Sequence, residues 1–260
     1  MKNLLRSEFM PLIMAGLGVL GFLLRRGLYA VAVDHKDLLL AGHPLQWGLF
    51  LVTAAAIALA VCYGMAKEQG GALSGTRLSA VGYIALAAGI LIALLPEGFG
   101  GNGLAGLRTI LGILVSLAMA AGALQRFRGQ KVFFLVPGLG CVFFAVHMVS
   151  CYQGWSSNPQ ILDYLYTLLA SVSLMLFAYQ QSACAANCGS GKLLRLFGSL
   201  SVFCGITALS GTEFPVLYLT GSFWALTVLC CPDAAEASPN EENQTDSGEE
   251  GEGPLPEETE

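Results

Sequence analysis

Charge is what this chain has least of. Only 12% of its 260 residues are Asp, Glu, Lys or Arg, against roughly 25% in a soluble domain, while 55% are hydrophobic and the mean hydropathy is +0.64. That shortage excludes a water-soluble globular domain. Bases are missing altogether beyond Cys231: residues 232–260 hold eleven acids, no Lys or Arg, and Leu255 as their sole large aliphatic side chain. Such a segment cannot bury enough apolar surface to offset its ordering entropy, so a disordered acidic tail is expected. Histidine is scarce as well, with His35, His43 and His147 the only three. No His-Glu-x-x-His, Ser-His-Asp or paired-carboxylate arrangement falls within a helical stretch, which leaves intramembrane hydrolysis without a nucleophile and base. The trio Cys151, His147 and Asp163 is split between successive helices, and the chain is not expected to be an enzyme. The eight cysteines lie in or beside apolar stretches, where cysteine behaves as a small hydrophobe; no disulfide framework is expected, and Cys184 and Cys188 lack a second ligand pair for zinc. No cofactor, metal or nucleic acid partner is implied.

What the chain has is long apolar runs. Eight stretches fit membrane-spanning helices: 9–29, 45–66, 78–95, 107–124, 132–152, 160–181, 195–210 and 214–231. The third, fourth and seventh are short, and losing the seventh would reduce the count to seven. Lys2, Arg6 and the run from Met10 to Leu24 imitate a signal peptide, but Arg25 and Arg26 interrupt the approach to Ala30-Val31-Ala32, so an uncleaved first helix is expected. The fold class is therefore an all-α polytopic transmembrane bundle, residues 1–231, followed by the tail 232–260.

Orientation follows from the bases. Residues 1–231 carry all 13 Lys and Arg against seven acids. Nine bases fall at the N-terminus and in alternate loops (Lys2, Arg6, Lys67, Arg77, Arg126, Arg128, Lys131, Lys192, Arg195), and four on the opposite side (Arg25, Arg26, Lys36, Arg108). The bias puts both termini in the cytoplasm. Asn243-Gln244-Thr245 then carries no glycan despite its sequon.

Gly16-Leu17-Gly18 and Phe22 align with Gly138-Leu139-Gly140 and Phe144, which sets Arg25 opposite His147; Pro44 and Pro159, Tyr63 and Tyr179, and Arg77 and Arg195 continue the match. Two parallel four-helix repeats, 9–124 and 132–231, are one reading. Chance similarity among apolar helices with packing glycines is the other.

Ionisable groups at membrane depth are the best pointers to a site, because each costs about 2.5–3.5 kcal/mol or more at a helix centre unless it meets a partner or water. Arg25 and His147 each fall about sixteen residues into their helices, in the outer half of the span. With Tyr29, Tyr152 and Asp163 they form the candidate ligand site, a polar cavity in which Arg25 holds an anionic group. The competing reading has the arginines snorkelling to headgroups and His147 making a core hydrogen bond. Asn158, Pro159 and Asp163 are accounted for as cap, first residue and first-turn acid of the sixth helix. Asp34, His35, Asp37 and His43 fit a solvated loop better than a metal site. Gly16-x-Gly18-x-x-Gly21 and Gly98-x-Gly100-x-x-Gly103 match a dinucleotide fingerprint without its strand, and Gly189-Ser190-Gly191-Lys192 lacks the other residues of a phosphate loop.

Tyr29, Asp34 and Gly42-His43-Pro44, together with Trp155-Ser156 and Asn158-Pro159 before Asp163-Tyr164, resemble an uncharacterised family of polytopic membrane proteins from Clostridia-type bacteria. The resemblance spans most of the body, excludes the tail, implies a bacterial cytoplasmic membrane and carries no site residues. The expected function is a small-solute or ion transporter component with its site between the halves; the alternative is a sensor or assembly scaffold that transports nothing. The expected partners are the lipid bilayer, a small anionic solute and a protein that meets the acidic tail.

Overall fold

A computed structural model of the chain describes residues 9–31, 43–65, 76–94, 103–155 and 161–231. These form eight α-helices and no strand: α1 Met10–Val31, α2 Pro44–Met65, α3 Thr76–Leu94, α4 Leu104–Phe127, α5 Leu135–Trp155, α6 Ile161–Ala185, α7 Gly191–Ala208 and α8 Pro215–Cys230. The first seven are long and apolar enough to cross a membrane. At 16 residues α8 measures about 24 Å, short of a hydrocarbon core of about 30 Å. The lipid-facing exterior is apolar, with Leu51 72%, Ile110 68% and Leu117 67% exposed. The tail and the loop holding Asp34, His35 and Asp37 lie outside the described residues, as do Asn158 and Pro159.

The fourth and seventh helices differ from their expected bounds. Hydropathy alone stops the fourth before Arg126 and starts it after Leu104, giving a short span; α4 instead runs for 24 residues with Arg108 and Arg126 both buried within it. It ends at Gly129, whose φ of 72° suits glycine, with Gly129 and Gln130 N–H bonded back to Arg126 and Gln125 carbonyls. Asn187 ends α6 in the same manner at φ 58°, its N–H and that of Cys188 returning to Cys184 and Ala183 carbonyls. α7 begins at Gly191, after Ser190 in extended conformation without a side-chain cap bond, and takes Lys192 and Arg195 into its first turns.

α7 is the hub, packed on α1, α2, α6 and α8; α8 in turn packs on α3 and α6, α3 on α4, and α5 on α4 and α6. Its hydroxyls do not interfere with this burial, since Ser199, Ser201 and Thr207 each donate to a carbonyl of the preceding turn at 2.7–2.9 Å. The α3–α8 seam is built on glycine. Gly82 and Gly89, two turns apart, face Thr227 and Thr220, two turns apart on the antiparallel helix, and a Cβ on either glycine would collide with the threonine hydroxyl. At the centre Trp224 is fully buried, edge-on to Tyr83 (5.7 Å) and Phe177 (4.9 Å).

The α7–α8 hairpin is displaced along the bundle axis. Gly21 of α1 faces Thr207, the penultimate residue of α7, so α1 continues ten residues, roughly 15 Å, beyond the end of α7. Ser171 of α6 meets Tyr218 in the first turn of α8, so α6 begins about 15 Å above that level as well. The turn at residues 209–214 thus forms a floor set back from the described ends of α1 and α6, and its Gly211 and Glu213 are exposed among the described residues.

Candidate polar site around the recessed turn

Two buried arginines converge on this floor from different helices. Arg25 is 2% exposed. Its Nη1 donates to the carbonyls of Thr207 (3.5 Å) and Ala208 (3.4 Å), and its Nη2 donates to the Tyr29 hydroxyl (3.1 Å). These last carbonyls of α7 carry the negative end of its dipole and also accept locally, Thr207 O from the Ser210 hydroxyl (3.5 Å) and Ala208 O from the Gly211 N–H (3.2 Å). The guanidinium also lies against the rings of Tyr29 and Tyr166 at 5.5 and 5.4 Å. Tyr166 is held in turn by Thr53: the Thr53 hydroxyl donates to the Leu49 carbonyl (2.8 Å), which leaves its oxygen to accept from Tyr166 (2.8 Å). Gly211 lies close under this pair: a Cβ there would sit 2.8 Å from Arg25 Nη2 and 2.7 Å from the Tyr29 hydroxyl, so a larger residue would push the two side-chain ends aside.

Arg108, 6% exposed, approaches from the other side. Its guanidinium lies 4.9 Å from the centroid of Phe214, the last residue of the turn, and Nη1 is 3.8 Å from Cys151 Sγ. The same Phe214 ring stands edge-on to His147 at 5.1 Å, so it is wedged between arginine and imidazole. His147 is 1% exposed; its Nε2 lies 3.1 Å from the Tyr218 hydroxyl and 3.7 Å from Cys151 Sγ, and Phe143 stacks on it at 6.0 Å. Tyr218 continues to Ser171 at 2.7 Å, whose hydroxyl also reaches the Thr167 carbonyl at 2.9 Å.

The residues of the expected site are placed as follows in the fold. Arg25 and Tyr29 are together, as one turn of helix requires. Arg25 and His147 occupy two neighbouring clusters rather than one, because α1 packs on α2, α7 and α8 while α5 packs on α4 and α6. Tyr152 points away from both: it is 61% exposed, one residue and about 100° of helix beyond buried Cys151. The side chain of Asp163 lies outside the described residues. Arg26 is exposed, as its position one residue beyond buried Arg25 demands. His43 precedes α2 and accepts the Leu45 N–H on Nδ1 at 3.3 Å, the work of a helix cap. Sequence reasoning missed Arg108, Tyr166, Phe214 and Tyr218. Arg108 alone gave a signal, as a base four residues inside an apolar run. Among the described residues no three His, Cys, Asp or Glu side chains converge as a metal site.

No known protein family, curated protein or solved structure matches the chain.

Proposed function

We propose that this integral membrane protein is a component of a small-anion transporter of a bacterial cytoplasmic membrane, with its solute entering from outside at the recessed α7–α8 turn. The observation that carries this reading is the convergence of Arg25 and Arg108, both buried within apolar spans, on the two ends of one six-residue turn whose Gly211 and Glu213 are exposed. Each arginine costs about 2.5–3.5 kcal/mol or more at that depth, and an anion between them offsets part of that cost. The site lies beside the hub helix rather than between the first and fifth helices. A second reading, a sensor or scaffold without transport, draws on the Arg25 guanidinium: it is already engaged by the terminal carbonyls of α7 and so ties α1 to the hairpin.

The two readings separate on ligand dependence. The full chain in lipid nanodiscs is melted with chloride, nitrate, sulfate, phosphate or acetate at constant ionic strength. Transport of an anion requires saturable stabilisation by at least one of them, lost in Arg108→Gln, and uptake of that anion into proteoliposomes. Melting that responds to none, with no uptake, rejects the anion site and leaves the scaffold.

A further inference from the structure

We propose that the acidic segment 232–260 folds back on the basic end of its own bundle and covers it, holding positions that anionic phospholipid headgroups would otherwise take. Contacts between helices place the bases at one end. A Cβ on Gly64 would sit 3.0 Å from the Lys192 carbonyl, which joins the end of α2 to the start of α7, and one on Gly198 would meet Leu229, which joins the start of α7 to the end of α8. Ser182 near the end of α6 donates to the Phe134 carbonyl ahead of α5 (2.7 Å), while Gln181 donates to the Tyr83 hydroxyl in the first turns of α3 (2.8 Å). Gly122, in the last turns of α4, faces Val136 and the same Tyr83 ring. The exposed bases at this end are Arg77, Arg128, Lys131 and Lys192, with Arg195 half-buried beside them. Among the described residues the only acids are Asp163 and Glu213, at the start of α6 and before α8, both at the opposite end. Lys2, Arg6, Glu8, Lys67 and Glu68 lie outside the described residues.

Charge and tether choose the occupant. Residues 232–260 hold eleven acids and no base, and they follow Cys231, two residues after the Leu229 that packs on α7 near Lys192 and Arg195. Asp233 and Glu236 therefore start beside those two bases, and Glu241, Glu242 and Asp246 come ten to fifteen residues after Cys231. A flexible chain of that length spans about 5–6 Å times the square root of the residue number, roughly 17–21 Å. From α8 to α4 is two packed helices by way of α3, about 16–20 Å, so these acids come level with Arg128 and Lys131 without stretching. The tether holds them there at about millimolar effective concentration. An anionic leaflet attracts the bases and repels the acids, and contact between the two removes both effects. The contact is independent of the anion site at the opposite end.

The full chain in phosphatidylcholine nanodiscs is treated with a carbodiimide, which joins a carboxylate to an amine in contact with it, and the joined peptides are mapped by mass spectrometry. Acids of 232–260 are expected to be joined to Lys131 and Lys192 of the same chain, which mixing with isotope-labelled chain establishes. The joins are expected to be lost in about 1 M salt, where the Debye length falls to about 3 Å, and to persist in nanodiscs of equal parts phosphatidylcholine and phosphatidylglycerol. A full-length variant with all eleven acids changed to Asn or Gln is expected to retain phosphatidylglycerol from mixed micelles about fivefold or more above wild type, the worth of one base near an anionic surface. Adding Arg128→Gln, Lys131→Gln and Lys192→Gln to that variant is expected to remove the enrichment. The crosslinking needs no substitution, so it decides the matter should a variant fail to fold. Joins that miss both Lys131 and Lys192, or that survive high salt, overturn the proposal. Joins found only between differently labelled chains overturn it in favour of a second copy, and joins lost in phosphatidylglycerol overturn it in favour of headgroups.

Discussion

Arg25 is the residue on which most of the local order depends. Its guanidinium satisfies two carbonyls at the end of α7 and a tyrosine hydroxyl, and two aromatic rings flank it. Replacing it with Met keeps the apolar stem and removes the Arg25 donors, while Thr207 O keeps the Ser210 hydroxyl and Ala208 O the Gly211 N–H. The loss is expected to be about 1.5–3 kcal/mol, the worth of a hydrogen bond to a charged group. Lys at this position reaches one carbonyl but not the fork of partners, so Arg25→Lys falls between wild type and Met. Tyr29→Phe removes a single bond and should cost about 1 kcal/mol. Reversible unfolding in mixed micelles measures all three, and equal stability of Met and wild type would mean that these contacts are replaced by water. Depth arithmetic on the sequence put Arg25 and His147 in one layer; in the fold they stand in neighbouring clusters on either side of the 209–214 turn. Azimuth was not legible: which way each helix turns its polar residue depends on its packing partners, and apolar helices of near-uniform hydrophobicity carry little record of that. Tyr152 shows the consequence, for one residue of rotation separates it from the buried face occupied by Cys151 and His147.

At the scale of elements, packing is set by small residues rather than by a hydrophobic stripe, because lipid is as apolar as the core. The α3–α8 seam makes this testable. Gly89 accepts Thr220 and Gly82 accepts Thr227 with no room for a Cβ on either glycine. Gly89→Leu should therefore separate the helices at one end of α8 and destabilise by about 1–3 kcal/mol or more. Thr220→Ser keeps the hydroxyl bond to Val216 and relieves the contact slightly, so it should be near neutral. A neutral Gly89→Leu would show that α3 and α8 are not held at this distance. The existence of eight helices was legible from hydrophobicity alone. Two of their ends were not, since charged residues such as Arg126 and Arg195 look like loop in a hydropathy reading. In the fold they continue the helix, while the chain turns only at Gly129 and after Asn187.

Across the whole molecule the α7–α8 hairpin is shifted toward the end that carries Arg126, Arg128, Lys131, Lys192 and Arg195, and away from the end where α1 and α6 stand tall. The shift has two consequences, a depression at one end and a concentration of bases at the other. Bases near short loops favour the cytoplasmic side, so the turn at the opposite end is expected to face outward. The prediction can be read with a native cysteine. Cys188 is exposed in the α6–α7 turn, beside Lys192 at the basic end, whereas Cys151 at the opposite end is buried. A membrane-impermeant maleimide should leave Cys188 unmodified in intact cells and modify it once the membrane is permeabilised, with Cys188→Ser removing that signal. Modification of Cys188 in intact cells would invert the bundle. The recessed turn would then face the cytoplasm, and an anion bound between Arg25 and Arg108 would be a solute on its way out.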